Sequence, residues 1–274
     1  MRWFGLALCG LTLAILAAAT APADARPSAM TTPPGRPGIE VDVQLVLAVD
    51  VSLSMDNDEQ RLQREAYVAA FGDRLVLDAI RGGPTGRIAV TYVEWSGEDE
   101  QKIVVPWMLI DSDAAAQSFV AQLQSAPISR MRRTSISSAM QFAARLIDTS
   151  IYTAPRRVID FSGDGSNNEG PPLQLTRSDI LSRGIVINGL PLVLDRVGTQ
   201  QNGITLEMYY DACVIGGTGS FLVPVREMGE FRDALKTKLI LEIAGIVPDP
   251  DHTHVMPASE TARSEIACDG RFSF

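Results

Sequence analysis

The chain has 274 residues, enough to bury a full core as one large domain or two small ones without a metal or disulfide merely to fold. Hydrophobic residues at 46% and charged residues at 21% give the ordinary balance of a soluble globular protein. A formal net charge of -9 argues against nucleic acid or an anionic membrane as the main partner, because both reward clustered Lys and Arg.

Residues 1–25 read as a secretory signal peptide. Met1-Arg2 makes a short basic start, the apolar run Phe4 to Ala19 follows, and Ala19-Thr20-Ala21 and Ala23-Asp24-Ala25 are small-x-small cleavage candidates. The run is short for a bilayer span, so the mature chain is expected to carry no transmembrane anchor and to be exported, periplasmic or secreted. Cys9 lies inside the run behind Leu8, which does not suit lipidation. Cleavage after Ala25 removes Arg2 and Asp24, one charge of each sign, and the mature chain stays at -9. Cys213 and Cys268 then remain. An oxidising compartment permits a bridge between them, but Cys268 sits in the expected extended tail, so two free thiols are the favoured reading until geometry decides.

Residues 26–40, rich in Pro, Gly, Ser and Thr, read as a linker, and the folded domain spans 41–245. Leu45-Val46-Leu47-Ala48-Val49 is a continuous apolar run, as expected of a parallel strand buried on both faces. Asp56, Asn57 and Asp58 offer N-cap chemistry for a helix running to about Ile80. Beyond Gly82-Gly83-Pro84, Arg87 to Trp95 and Lys102 to Leu109 read as two antiparallel strands joined by a polar turn. Helices are expected over 113–124 and 135–148, a strand over 157–161, a helix over 173–182 and a strand over 185–194. Leu206 to Ala212 reads as a short helix, Gly216-Gly217-Thr218-Gly219 as a tight loop, Phe221 to Val225 as a last strand and Glu227 to Ala244 as a closing helix. Residues 246–274, interrupted by Pro248, Pro250 and Pro257, read as an extended tail. The alternation predicts an α/β fold: a doubly wound, mostly parallel sheet of about six strands with one antiparallel edge strand and helices on both faces.

Asp50-Val51-Ser52-Leu53-Ser54 lies where the first long strand ends and its helix has yet to begin, at the carboxyl edge where open α/β sheets bind ligands. Thr134 precedes one helix and Asp164 follows another strand, so both belong to loops at the same edge. If the sheet winds outward from its first strand, Asp50 and Asp164 face each other. Two carboxylates and three hydroxyls make an all-oxygen set suited to Mg²⁺, Mn²⁺ or Ca²⁺ and poor for zinc or copper. Five groups leave a sixth position of an octahedron open. With two formal negative charges nearby, a bound ion keeps enough Lewis acidity to attract a carboxylate.

Asp50-x-Ser52-x-Ser54, Thr134 and Asp164 resemble the metal-ion-dependent adhesion site of von Willebrand factor A and integrin inserted domains. Arg133-Thr134-Ser135-Ile136 and Asp164-Gly165 resemble the segments around that site, and the likeness spans roughly residues 41–245, nearest to an uncharacterised secreted bacterial branch. The resemblance implies one divalent cation, Mg²⁺ first, with Ser52, Ser54 and Thr134 coordinating directly and Asp50 and Asp164 directly or through water. It implies a partner, protein or other ligand, that offers a carboxylate oxygen. Asn167, Asn168 and Glu169 follow Asp164 and are candidates for touching that partner. The family commonly has Gly before the Thr; Arg132-Arg133 stands there instead, adding positive charge or altering the loop.

Two other function classes compete: a metal-independent assembly domain of the cell envelope, and a metal-assisted hydrolase. The hydrolase lacks a placed general base beyond the site carboxylates, since His252 and His254, the only two histidines, lie in the tail. Asp249 and Asp251 beside them read as ordinary solvated tail residues. Trp95 and Trp107 read as core or sheet-edge packing, and Arg156-Arg157 as a solvated start of a strand.

Overall fold

The computed structural model describes Met1 and residues 38–194, 203–247, 255–258 and 266–269. The expected signal peptide (apart from Met1), all of the linker but its last three residues, and Asp249, Asp251, His252 and His254 lie outside the described residues.

A two-residue strand β1 (Ile39–Glu40) leads into β2 (Val43–Asp50), every residue of which is buried. Its alternate side chains feed two separate cores. Val43, Leu45, Leu47 and Val49 join the layer containing Tyr67, Phe71 and Leu235, while Val46 and Ala48 join the layer containing Met140, Ala143 and Phe161. That division explains the unbroken apolar run, because a central strand covered on both faces has no solvent side.

The expected single helix over 56–80 is two: α1 (Asn57–Phe71) and α2 (Arg74–Arg81). Asp56 caps α1 in a reciprocal box with Glu59. The break falls at Gly72-Asp73, where the Asp73 carboxylate accepts the Leu75 N–H at 2.8 Å and starts a fresh helix. Strands β3 (Ile88–Trp95) and β4 (Gln101–Ile110) pair antiparallel as expected. Then follow α3 (Asp113–Ser125), α4 (Ile136–Asp148), the short β5 (Tyr152–Thr153), β6 (Arg156–Gly163), α5 (Leu173–Ser182) and β7 (Val186–Pro191). A single turn α6 (Leu206–Tyr209) runs directly into a π-helical turn, Tyr210–Val214. The chain closes with β8 (Phe221–Leu222), α7 (Phe231–Ala244) and β9 (Met256–Pro257).

The main sheet has seven strands in the order β4-β3-β2-β6-β7-β8-β9, parallel throughout except at its two ends. The second antiparallel end is a departure from the expected single one. It comes from the tail: Met256 pairs with Leu222 and Pro257 with Phe221, so these two residues are part of the sheet and not of an extended appendage. Proline is tolerated there because an outermost strand has one unpaired edge. Further along the tail, Cys268 forms a disulfide with Cys213 across a Cα–Cα distance of 5.3 Å, which decides the question the sequence left open.

Arg156 is not a solvated strand start. Its half-buried guanidinium donates to the carbonyl oxygens of Glu242 and Ile243, and Gly245, in the left-handed region at φ 67°, ends α7 beside it. Arg157 likewise donates to the carbonyl of Arg183 at the end of α5. Trp95 is fully buried against Phe161 at 5.4 Å, as core packing predicts. Among the described residues, no helix is long and apolar enough to cross a membrane.

Candidate metal-binding site

Asp50 is the last residue of β2 and is completely buried. Its Oδ1 accepts the Ser52 N–H at 2.7 Å, a local turn that ends the strand and points the chain back over its own carboxylate. That turn brings the Ser52 and Ser54 hydroxyls to 2.8 Å from each other. β2 and β6 are adjacent and parallel, with Val49 opposite Ser162, so both chains leave the sheet at the same carboxyl edge. Asp164 then meets the turn from β6: the Ser54 hydroxyl donates to Asp164 Oδ1 at 2.7 Å.

Thr134 arrives on a third loop, held by hydrogen bonds on three sides. Met131 N–H donates to the Val51 carbonyl at 3.2 Å, and the Ser96 hydroxyl bridges the carbonyls of Arg132 and Arg133 at 2.7 and 2.8 Å. Thr134 N–H donates to Asn168 Oδ1 at 3.1 Å while Asn168 N–H returns a bond to the Thr134 carbonyl at 2.8 Å. Gly165, beside Asp164, has no side chain; a Cβ there would stand 3.9 Å from Thr134 Oγ1. The structure thus gathers all three loops at one edge.

Electrostatics mark the same spot. Burial, and then the neighbouring Asp164 charge, push the Asp50 carboxyl up to about 8, against the opposing pull of the Ser52 N–H. Asp50 Oδ2 is buried and accepts no hydrogen bond among the described residues. Two buried acidic groups with an unanswered oxygen are unfavourable unless a proton or a cation balances them. Hard oxygen donors beside that oxygen fit a small divalent ion. Among the described residues no cluster of three or more His, Cys, Asp or Glu side chains could hold a metal; the set here is two carboxylates completed by hydroxyls.

The candidate partner contacts divide. Asn167 is turned inward: its Oδ1 accepts from Ser137 N–H at 3.0 Å and from the Ser137 hydroxyl, its Nδ2 donates to the Glu169 carbonyl, and its N–H donates to Tyr209 Oη. It is buried and shapes the loop. Asn168 is exposed and Glu169 half-buried, with Glu169 Oε2 ion-paired to Arg133 at 3.0 Å. Sequence reasoning did not find Ser96, Gly163 or Tyr210. Tyr210 Oη is buried without a hydrogen bond among the described residues, and burial together with the Asp50 and Asp164 charges raises its pKa well above the usual tyrosine value. A Cβ on Gly163 would lie 2.7 Å from Tyr210 Oη and 3.0 Å from Asp50 Oδ2. Only the Gly at 163, directly before Asp164, is a signal the sequence carried.

The profile of a protein family of unknown function, DUF1194, matches residues 40–247. The chain belongs to the DUF1194 family. No curated protein matches the sequence. Solved structures show the von Willebrand factor A-type fold of this DUF1194 domain. Proximal thread matrix protein 1 from the mussel byssus, in a form with a zinc-occupied metal-ion-dependent adhesion site, aligns at TM-score 0.53 and 14% identity over 76% of this chain and 49% of that one. A von Willebrand factor type A protein from Catenulispora acidiphila aligns at 0.50 and 14% identity, over 74% of this chain and 43% of its own. The pilus adhesin SpaC from Lactobacillus rhamnosus GG aligns at 0.53 and 12% identity, over 76% of this chain and 31% of its own. The DUF1194 chain therefore spans about half or less of the length of these structures.

Proposed function

We propose that this DUF1194 domain is an exported binding module that holds one divalent cation on Asp50, Ser52, Ser54, Thr134 and Asp164. Mg²⁺ suits the set first, Mn²⁺ or Ca²⁺ next. The bound ion would supply Lewis acidity for capturing a carboxylate oxygen of a protein or other ligand. The carrying observation is the buried, unanswered Asp50 Oδ2 beside the chain of hydroxyls that reaches Asp164. Neutral hydroxyls leave the ion's charge only partly cancelled, which favours an incoming anion over a fully satisfied shell. Exposed Asn168 and half-buried Glu169 border that approach, and Arg133 brings a positive charge alongside.

Binding rather than catalysis is the better match for these groups. Among the described residues, the site contains no imidazole, and both carboxylates are needed to hold the ion, which leaves no general base in place for hydrolysis. Export is supported by the signal-like residues 1–25 and by a disulfide that an oxidising compartment would maintain.

The test is calorimetric titration of the chelator-stripped protein with Mg²⁺, Mn²⁺ and Ca²⁺, beside Asp50→Ala. One-site binding, lost in the variant while its circular dichroism stays native, is the expected result. No binding of any ion, even with acidic peptides present to complete the shell, would overturn the adhesion reading in favour of a metal-free assembly domain.

A further inference from the structure

Three ionisable side chains are sealed between the sheet and α7, away from the carboxyl-edge loops. Lys238 on α7 and Asp160 on β6 are both wholly buried, and Glu242, one turn further along α7, is 3% exposed. Lys238 Nζ stands 2.5 Å from Asp160 Oδ1 and also contacts Glu242 Oε1. Asn188 Nδ2 fixes Glu242 by donating to Oε1 at 2.9 Å, with its own Oδ1 held by Phe221 N–H. Glu242 Oε2 and Asp160 Oδ2 accept no hydrogen bond among the described residues. The surroundings are dry: the Phe221 ring lies 5.8 Å from Nζ, and Leu235, Leu239 and Tyr67 complete the layer.

One cation cannot balance two carboxylates, and each buried charge costs several kcal/mol even after relaxation. Burial accordingly pushes both carboxyls up, Asp160 against the pull of Lys238 and Glu242 to about 7. Both shifts favour the neutral carboxylic acid, the form an amine can attack. The Lys238 nitrogen is held against the Asp160 carboxyl group with water excluded, a placement that favours reaction between the two. Reaction would replace one buried ammonium–carboxylate pair with an uncharged amide.

We propose that Lys238 and Asp160 condense into an intramolecular amide (an isopeptide) that ties α7 to β6, with Glu242 carrying the protons. The Lys238 ammonium first gives a proton to the Asp160 carboxylate, leaving a neutral amine and a neutral acid. Nζ attacks Asp160 Cγ and a C–N bond forms. The Glu242 carboxylate takes a second proton from Nζ and passes it to the Asp160 hydroxyl; the C–O bond breaks and water departs. Ammonium and carboxylate become amide and one water, nothing is oxidised or reduced, and Glu242 ends as it began. Asp160 is the acceptor because Lys238 is its one polar partner among the described residues, whereas Asn188 also pins Glu242 in place as the shuttle. A cavity of about 440 Å³ lined by Asn188, Phe221, Leu241 and Glu242 adjoins the cluster and offers the water a way out.

The experiment is mass spectrometry of the folded wild-type protein after disulfide reduction, before and after tryptic digestion. The expected results are a deficit of one water and a branched peptide joining 158–177 to 237–263, uncut after Lys238. Lys238→Arg should show full mass, and Glu242→Gln should retain separate 158–177 while its circular dichroism remains native. A full-mass wild-type protein cleaved normally after Lys238 overturns the proposal and leaves a buried ion cluster. A water deficit confined to 237–263 overturns the Asp160 assignment, since Lys238 would then have joined Glu242. Complete branching in Glu242→Gln removes Glu242 from the mechanism.

Discussion

Ser54 donates a 2.7 Å hydrogen bond to Asp164 although the two residues stand 110 positions apart in the chain. The bond closes the carboxyl edge between β2 and β6 and ties the two carboxylate-bearing loops together. Ser54→Ala removes both the bond and a ligand hydroxyl from an exposed position, so the fold should survive. Mg²⁺ affinity should fall about tenfold, the scale of one hydrogen bond or ligand contact. Unchanged affinity by calorimetry would remove Ser54 from the ligand set.

Gly163 is where the site tolerates no side chain. An added methyl would meet Tyr210 Oη at 2.7 Å and Asp50 Oδ2 at 3.0 Å, neither the end of a flexible chain with space to retreat. Gly163→Ala should destabilise the protein by about 1–3 kcal/mol, as overpacking does. It should also weaken metal binding by displacing Asp50. Denaturant unfolding and Mg²⁺ titration together check this; a variant with wild-type values in both contradicts the crowding.

Arg133 holds a left-handed backbone at φ 70°, the only described non-glycine residue to do so. Glycine, which the resemblance leads us to expect before Thr134, would adopt this backbone freely, and Arg133 is strained in its place. Arg133→Gly should gain about 0.5–1 kcal/mol, the strain relief less the added freedom of the unfolded chain. Arg133→Ala should gain nothing, because it keeps the strained conformation and loses the ion pair to Glu169. Equal stability of the two variants would show that strain is not the deciding factor.

The Cys213–Cys268 bridge closes a 55-residue separation and fastens the tail to the π-helical turn next to Tyr209 and Tyr210. Tyr209 Oη donates to the Cys268 carbonyl at 3.3 Å and accepts the Asn167 N–H at 3.1 Å, and Asp269 accepts the Leu173 N–H at 2.6 Å. Cys268→Ser should therefore cost about 2–4 kcal/mol. It should also raise amide exchange in 165–170, the loop that carries Asn167 and Asn168. Hydrogen exchange confined to the tail, with that loop still protected, would separate the bridge from the site.

Glu242 sets a pH dependence whose sign follows from its burial. Its carboxyl is raised from 4.5 to about 7, so the folded state holds a proton that the unfolded chain has released. Stability from this group is greatest below about pH 4.5 and is lost as pH rises toward 7. Glu242→Gln, which cannot ionise, should flatten that part of the profile. Burial is the leading cause, so the direction is the same before and after condensation of Lys238 with Asp160. A Gln variant with the wild-type slope would assign the effect elsewhere.

Much of this was legible in the sequence because it depends on local pattern. The apolar run 45–49, the turn residues after Asp50 and the alternation of strands and helices are short-range signals, and they located the α/β sheet and its carboxyl edge. The N-cap residues Asp56, Asn57 and Asp58 marked a helix start, whereas the helix restart at Asp73 carried no signal strong enough to divide the segment. Asn167 looked like an exposed loop residue because its partners, Ser137 and Tyr209, come from elements far away in the chain.

By itself the sequence determined what repeats every two or four residues and what sits at the ends of those repeats: the elements, their order and the chemistry of the Asp50, Thr134 and Asp164 loops. Only the tertiary structure decided which distant groups meet. It joined Cys213 to Cys268, added Met256–Pro257 to the sheet, turned Arg156 onto the end of α7 and enclosed Lys238 with Asp160 and Glu242. The reason is physical: burial and long-range pairing have no local signature, since the desolvation that gives a lysine or carboxylate its character exists only once the chain has closed around it.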